Sequence, residues 1–215
     1  MTIENKLLKM NNRFDYKDIA AYYDNLIKQY NCPAPEIIFD ALSGYLKAGT
    51  KLLDLGIGTG ASSQLFHNEC IEIYGLDNSA EMLEVCRSKK ISGNLVLCDL
   101  LNEEIPFTNV SFDYIICSGV LHFFSDPALI FTKADGVLKK RGLFAFTIME
   151  NTENESCFYK EMASGTSVYY HNMIYINSLM KKMNYTEMKN IDFMTLKDLE
   201  TKEQQKIKLL MMRKE

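Results

Sequence analysis

The sequence predicts an α/β fold in which helices cover both faces of a mostly parallel sheet. Between Thr50 and Glu150, short apolar runs alternate with segments whose apolar residues recur at helical spacing. The runs are apolar throughout, which is typical of parallel strands that are buried on both faces. Near the C-terminus two strands follow each other with little helix potential between them, so we expect an antiparallel pair at one edge of the sheet.

The residues before the first strand predict two helices. Apolar residues from Ile19 to Tyr30 form a helical stripe. The sequence "NCPAP" then interrupts the chain, because each proline favours extended geometry in the residue before it. Pro35 is suited to the first turn of the second helix, which we expect to reach Leu46.

The alternation that follows predicts strands and helices in turn. We place strands at residues 50–56, 71–77, 94–100, 112–119 and 142–150. We place helices at residues 59–69, 79–90 and 126–139, with Ser79 and Asp126 as caps. A helix at 171–184 and strands at 185–193 and 205–214 complete the chain.

Length, composition and charge limit the classes of protein to which this chain can belong. The chain has 215 residues, which suits one domain, and its 47% hydrophobic and 24% charged shares are ordinary for a globular protein. The net charge of −4 argues against a nucleic-acid partner, since such binding depends on lysine and arginine. No signal-like segment and no run of about 18 apolar residues occur, so we expect a cytoplasmic protein without membrane contact.

The cysteines predict neither a disulfide framework nor a metal site. None of the six forms a C-x-x-C pair, no zinc spacing is present, and several lie in apolar runs. We therefore expect free thiols in a reducing compartment.

Three glycines, Gly56, Gly58 and Gly60, follow the first predicted strand at alternate positions. They allow a tight turn and let a ligand approach bare backbone beyond the carboxyl end of a parallel strand. With Ala61 the spacing also fits the dinucleotide pattern, so the loop alone does not decide between NAD and another nucleoside.

Acidic residues close three successive predicted strands: Asp54, Asp77 and Asp99. Asp77 lies about 20 residues beyond the loop, where a carboxylate takes both ribose hydroxyls. Asp54 would repel a pyrophosphate, and no lysine or arginine lies between Gly56 and Asp77 to offset that repulsion. The pattern favours a nucleoside without phosphates.

Five segments resemble, in order, the motifs of the class I S-adenosylmethionine (SAM)-dependent methyltransferases: "LLDLGIGTG", "IYGLDNSAEML", "VLCDLLNEEIPF", "SFDYIICSGVLHFFSDP" and "VLKKRGLFAFTI". The segment "YYDNLIKQYNCPAPEII" resembles the small-molecule branch that includes the Williams–Beuren-region methyltransferase-like proteins. The resemblance implies a doubly wound, seven-stranded sheet with an antiparallel C-terminal strand and an N-terminal helical lid. Such proteins often have Gly-Phe after the late helix, where this chain has Asn184-Tyr185.

The resemblance also divides the single domain into four parts. These are a helical cap (1–49), a cofactor-binding core (50–150), a lid over the substrate (151–171) and a C-terminal helix with antiparallel strands (172–215).

Roles in the SAM site follow from the same resemblance. It implies that Gly56, Gly58 and Gly60 lie under the methionine part of SAM. Asp54 orders the loop or receives the amino group, and Asp77 takes the ribose hydroxyls.

The adenine ring is expected between Asn78 and Met82, with Asp99 accepting from its amino group and the Leu100 backbone pairing with a ring nitrogen. Ser118 is expected near the sulfonium. For Asp77 and Asp99 the alternative is a capping or solvent-exposed role, and for Met82 it is a place in the core.

Tyrosines and histidines complete the candidates. Tyr16, Tyr22 and Tyr23 are placed by resemblance over the cofactor, where they would contact the sulfonium, with packing of the helix as the alternative. His122 and His171 are the candidate catalytic residues, because an imidazole titrates near neutral pH. A structural role is the alternative for both.

The function expected from this resemblance is methyl transfer from SAM to a small-molecule acceptor by in-line displacement, leaving S-adenosylhomocysteine (SAH). The alternatives are a protein or RNA methyltransferase, an NAD-dependent oxidoreductase and a SAM-binding protein without catalysis. We expect a monomer or homodimer.

Overall fold

The computed structural model describes residues 19–107, 111–151, 158–163, 166–199 and 201–215. Its strands are β1 Lys51–Leu55, β2 Glu72–Asp77, β3 Asn94–Leu97, β4 Phe112–Cys117, β5 Leu138–Met149, β6 Phe158–Ala163, β7 Thr166–His171, β8 Tyr185–Leu196 and β9 Gln204–Lys214. Its α-helices are α1 Tyr23–Gln29, α2 Ala34–Ser43, α3 Ala80–Ser88, α4 Ala128–Val137 and α5 Met173–Lys182.

Seven of the described strands form one sheet in the order β3-β2-β1-β4-β5-β9-β8. The pairs from β3 to β5 are parallel. Strand β9 runs antiparallel to both of its neighbours, β5 and β8. The α/β fold, the mostly parallel sheet and the antiparallel C-terminal pair at its edge are thus confirmed.

Helices cover both faces of this sheet. On one face α2 and α3 contribute Ile38, Leu42 and Leu83, and on the other α4 and α5 contribute Phe131 and Ile176. All five side chains are at most 1% exposed. Burial on both faces explains why the strand sequences are apolar throughout instead of alternating.

The described cysteines are free thiols: Cys32, Cys70, Cys86, Cys98 and Cys117. Cys157 lies outside the described residues. Within the ranges that the structure describes, no helix combines the length and the apolar character needed to cross a bilayer.

The predicted cap of α3 is confirmed, because the Ser79 hydroxyl accepts from the Met82 N–H at 3.2 Å. Helix α4 differs slightly from the prediction. Pro127 takes the cap position and the helix begins at Ala128, whose N–H donates to Asp126 Oδ1 at 2.9 Å.

The helix expected at residues 59–69 was wrong. The structure has only a 3-10 helix there, Ser63–Phe66. Gly60 has a φ of +81°, which a right-handed helix does not admit. The Ser63 hydroxyl donates to Asp54 at 2.6 Å, which holds the segment against the end of β1.

The segment expected as a lid contains an antiparallel hairpin that the sequence analysis missed. Strands β6 and β7 form a separate two-stranded sheet. The His171 carbonyl at the end of β7 accepts from the Asn151 N–H at 2.9 Å, which joins the hairpin to the end of β5.

Asn184 explains the departure from Gly-Phe after the late helix. It follows α5 with a φ of +62°, in the left-handed region where glycine is usual and asparagine is tolerated. Its carbonyl accepts from the Glu215 N–H at 3.1 Å, so the turn still leads directly into the β8–β9 pair.

The glycine loop after β1 is held by close packing. Gly58 and Gly60 have positive φ angles of +55° and +81°. A Cβ on Gly60 would lie 2.5 Å from Ile91 Cδ1 and 2.9 Å from Cys86 Sγ. A Cβ on Gly58 would meet only the Asp77 carboxylate, at 4.0 Å. Gly60 therefore serves packing, whereas Gly58 leaves space beside a carboxylate.

We expect Gly60→Ala to destabilise the fold more than Gly58→Ala. Both variants force alanine into the left-handed region, which costs about 1–2 kcal/mol. Only Gly60→Ala adds an overpacked core contact, for a total of about 2–5 kcal/mol. Urea unfolding of both variants measures the difference, and equal losses would contradict the packing role of Gly60.

Candidate functional site

A cavity of about 640 Å³ lies where the parallel strands end, and it has two parts of different chemistry. The acidic half lies beyond the carboxyl ends of β1, β2 and β3 and is lined by Asp54, Gly58, Asp77, Met82 and Asp99. The distal half lies beside β5, β7, β8 and β9 and is lined by Met149, Val168, Phe193, Gln205 and Ile207.

The Asp77 carboxylate joins the glycine loop to α3. Its Oδ2 accepts from the Gly58 N–H at 2.8 Å and its Oδ1 from the Ser79 N–H at 2.9 Å. Burial raises the pKa of Asp77, and these backbone N–H groups act against that rise. The Asn78 N–H also acts on this carboxylate, and since a carboxylate has about four acceptor sites, acceptor capacity remains for a ligand hydroxyl.

Asp54 lies deeper, only 2% exposed, at the floor of the acidic half. Burial raises its pKa to about 7, the negative charge of Asp77 acts in the same direction, and the hydrogen bond from Ser63 opposes them. Asp54 therefore takes or releases a proton near neutral pH, and a cationic ligand would favour its ionised form.

Asp99 combines a local turn with a position on the cavity wall. Its Oδ1 accepts from the Leu101 N–H at 2.9 Å and its Oδ2 from the Asn102 amide at 2.7 Å. The carbonyl of Leu100 accepts from the buried Lys133 ammonium at 2.8 Å, which ties this loop to α4. The capping role is thus present, and it leaves one acceptor site on each Asp99 oxygen.

Helix α1 covers the acidic half. Asp24 accepts from the Thr59 hydroxyl of the glycine loop at 2.5 Å and also pairs with Lys89 after α3. Met82 is 2% exposed and packs against Leu26 of α1 while it lines the cavity. The core role and the cavity role of Met82 therefore coincide.

Of the three tyrosine candidates, one lines the cavity, one does not, and one is not described. Tyr23 lines the cavity, and burial, followed by the charge of Cys32, raises its pKa to about 12, so its hydroxyl stays protonated. Tyr22 is 40% exposed and does not line the cavity. Tyr16 lies outside the described residues.

The turn after β4 forms the border between the two halves. Ser118 and Gly119 line the cavity there, and the Gly119 N–H donates to the buried Thr147 hydroxyl at 2.8 Å. Gly56 packs beneath this turn, since a Cβ on it would lie 2.3 Å from Val120 Cγ2. The first glycine of the loop thus lets the turn approach.

The two histidines lie in different surroundings. His122 lines the cavity, and burial together with nearby His171 lowers its pKa to about 4. His171 is fully buried, does not line the cavity and donates from Nε2 to the Leu121 carbonyl at 3.0 Å. Both are neutral at neutral pH, so His122 is a hydrogen-bonding group and only a weak base.

Most sequence-predicted site residues converge on this cavity. Those that line it are Tyr23, Asp54, Gly56, Gly58, Asp77, Asn78, Met82, Asp99, Leu100, Ser118 and His122. Sequence reasoning missed Thr147 and the whole distal half. A threonine near the end of the apolar run "LFAFTIM" was an available signal for Thr147, whereas the distal half depends on strand pairing that no local pattern shows.

Comparison with known proteins agrees with this geometry. Residues 53–146 match the family profile described as a methyltransferase domain. A demethylmenaquinone methyltransferase from Thermotoga maritima is 35% identical over 94 residues, which are 43% of this chain and 40% of that protein. The match thus spans about two fifths of the length of that relative.

Two solved structures share the fold. A SAM-dependent methyltransferase from Clostridium acetobutylicum has a TM-score of 0.66 and 17% identity, over 93% of this chain and 98% of that one. Magnesium protoporphyrin IX methyltransferase from Synechocystis, solved with bound SAH, has a TM-score of 0.65 and 13% identity, over 88% and 87% of the two chains. Residues 53–146 are therefore similar to the methyltransferase-domain family, and the chain has the fold of the class I SAM-dependent methyltransferases.

Proposed function

We propose that this protein transfers a methyl group from SAM to a small-molecule acceptor. The observation that carries the proposal is the acidic half, where three carboxylates stand beside the glycine loop. Among the described residues, no lysine or arginine lines that half. A nucleoside that carries a sulfonium and an ammonium group suits such a wall, whereas the pyrophosphate of NAD would be repelled.

The residues of the acidic half fit SAM in detail. The Asp77 carboxylate would accept from the ribose hydroxyls, and the missing side chain at Gly58 leaves room beside that carboxylate. Met82 offers an adaptable apolar surface to a flat ring. Asp54 would receive the α-amino group.

Bound SAM supplies an electrophilic methyl group on a positively charged sulfur. The protein's part in the displacement is to align the acceptor with that methyl and to exclude water. Helix α1, fixed to the glycine loop through Asp24 and Thr59, closes one side of the cavity. His122 is too weak a base to remove a tightly held proton, so it would orient the acceptor through a hydrogen bond.

A small acceptor is supported by the size and shape of the cavity. Its volume of about 640 Å³ lies within the usual range for ligand pockets. After a nucleoside fills the acidic half, the distal half leaves space for a second, compact molecule. The name of the Thermotoga maritima relative, a demethylmenaquinone methyltransferase, also denotes a small-molecule acceptor.

Calorimetry with SAH and NAD tests the proposal directly. We expect SAH to bind to the full chain and NAD not to bind, because SAH offers an ammonium group and no phosphate, whereas the three carboxylates repel the two negative charges of the NAD pyrophosphate. Tight NAD binding without SAH binding would contradict the proposal.

Asp77→Asn should weaken SAH binding by about 10–100-fold, because a charge-assisted hydrogen bond to a ribose hydroxyl is lost. The matched control is Asp113→Asn. Asp113 accepts from the Lys51 N–H at 2.9 Å, a similar contact at the other end of the parallel strands, where β1 and β4 begin. The control should cost stability but leave SAH affinity unchanged, as measured by thermal unfolding and calorimetry. An equal loss of affinity in both variants would mean that Asp77 acts only through the fold.

SAH affinity should rise with pH up to about 7 and then level off. Asp54 binds a proton in the free protein below its pKa of about 7, and an ammonium beside it would expel that proton. Affinity at pH 6 should therefore be about tenfold below the plateau. The groups around Asp54 are Ser63, Asp77 and the thiols of Cys86 and Cys117. Burial raises the pKa of both thiols, so the two thiols stay neutral over this pH range.

Calorimetry at several pH values measures this profile. The variant Asp54→Asn keeps an acceptor for Ser63 but cannot ionise, so its profile should be flat. A flat profile in the wild-type protein would show that the amino group does not lie beside Asp54.

A further inference from the structure

The distal half has a continuous apolar surface built from three neighbouring strands. Ile207 of β9 pairs in register with Met149 of β5 and with Phe193 of β8, and all three line the cavity. Val168 of β7 adds a further wall. Val168, Phe193 and Ile207 are each 8% exposed, so this surface is largely withdrawn from solvent. An aliphatic or aromatic body would gain by burial against it.

Charge is distributed unevenly between the two halves. Asp54, Asp77 and Asp99 all lie in the acidic half. Among the described residues of the distal half the charged side chain is Lys197, which pairs with Glu203 at 3.6 Å. A cationic acceptor would therefore lose hydration there without gaining a carboxylate, which is a heavy cost in an apolar site.

One buried polar group of the distal half has a donor to offer. Gln205, the register neighbour of Thr195, lines the cavity and is 9% exposed. Its Nε2 has no hydrogen-bond partner among the residues that the structure describes. The Thr195 hydroxyl is already committed, because it donates to the Tyr30 carbonyl at 2.9 Å. A buried amide without a partner is costly, and a ligand oxygen would relieve that cost.

We propose that the distal half binds a neutral, largely apolar methyl acceptor with an oxygen that accepts a hydrogen bond from Gln205 Nε2. This inference rests on the proposed function, since it names the class of acceptor for the same site. Apolar contacts with Met149, Phe193 and Ile207 supply affinity, and Gln205 fixes the orientation of the molecule toward the border at Ser118.

Fluorescent naphthyl probes test the inference on the full chain saturated with SAH. The protein contains no tryptophan, so naphthyl fluorescence is measured over little protein background. Naphthaleneacetamide is neutral and carries a carbonyl, methylnaphthalene lacks an oxygen, and naphthylmethylamine is a cation at neutral pH. We expect naphthaleneacetamide to bind at least about tenfold more tightly than naphthylmethylamine.

Gln205→Leu should weaken naphthaleneacetamide about tenfold and leave methylnaphthalene unchanged, because only the hydrogen bond is removed. Gln204→Leu, on the exposed neighbour, should change neither probe. Gln205→Met serves as a second variant of similar volume if leucine disturbs the fold. Unchanged SAH affinity by calorimetry shows that each variant keeps the acidic half.

Three results would overturn the inference: equal binding of the amine and the amide, equal weakening of both neutral probes in Gln205→Leu, or no probe binding. Failure of the proposed function gives a different result, because SAH itself then fails to bind. The probes are also titrated into the ligand-free chain, so their selectivity is measured in that case too.

Discussion

The cavity depends on the buried carboxylate of Asp77. It accepts one N–H from the glycine loop and one from the first turn of α3, so two separate segments are fixed by one side chain. The contact is possible because β1 and β2 pair in parallel with Leu55 opposite Leu76, which brings the end of β2 beside the loop. The same carboxylate also lines the cavity, so the side chain that orders the backbone is the one that we propose to hold the ribose.

The antiparallel strand β9 gives the cavity its second chemistry. Because β9 runs against its neighbours, its first residues, and not its last, reach the edge where the parallel strands end. Ile207 thereby pairs with Met149 although more than fifty residues separate them in the sequence, and Gln205 lines the same cavity. The sheet thus places carboxylates over one side of its edge and apolar side chains over the other.

Local patterns were sufficient for much of this structure. Apolar runs located the strands, Ser79 identified the cap of α3, and the acids at the strand ends identified the acidic half. Each of these signals is contained in a few neighbouring residues, and parallel pairing then brings their ends together.

Other features depend on contacts that no local pattern contains. The apolar spacing of residues 59–69 resembles a helix, but close packing of Gly60 against Cys86 and Ile91 forces a different backbone. The burial of His171 depends on its hydrogen bond to Leu121, fifty residues away. The position of Gln205 follows from the register of β9.

The carbonyl of Tyr30, just after α1, connects the two halves mechanically. It accepts from the Leu196 N–H at 2.8 Å and from the Thr195 hydroxyl at 2.9 Å, both at the end of β8. Helix α1 is at the same time attached to the glycine loop through Asp24. An outward swing of α1 that admits or releases a nucleoside must either break the two bonds to β8 or draw the strand end with it. The end of β8, which lines the distal half, is thereby coupled to any movement of the helix that covers the acidic half.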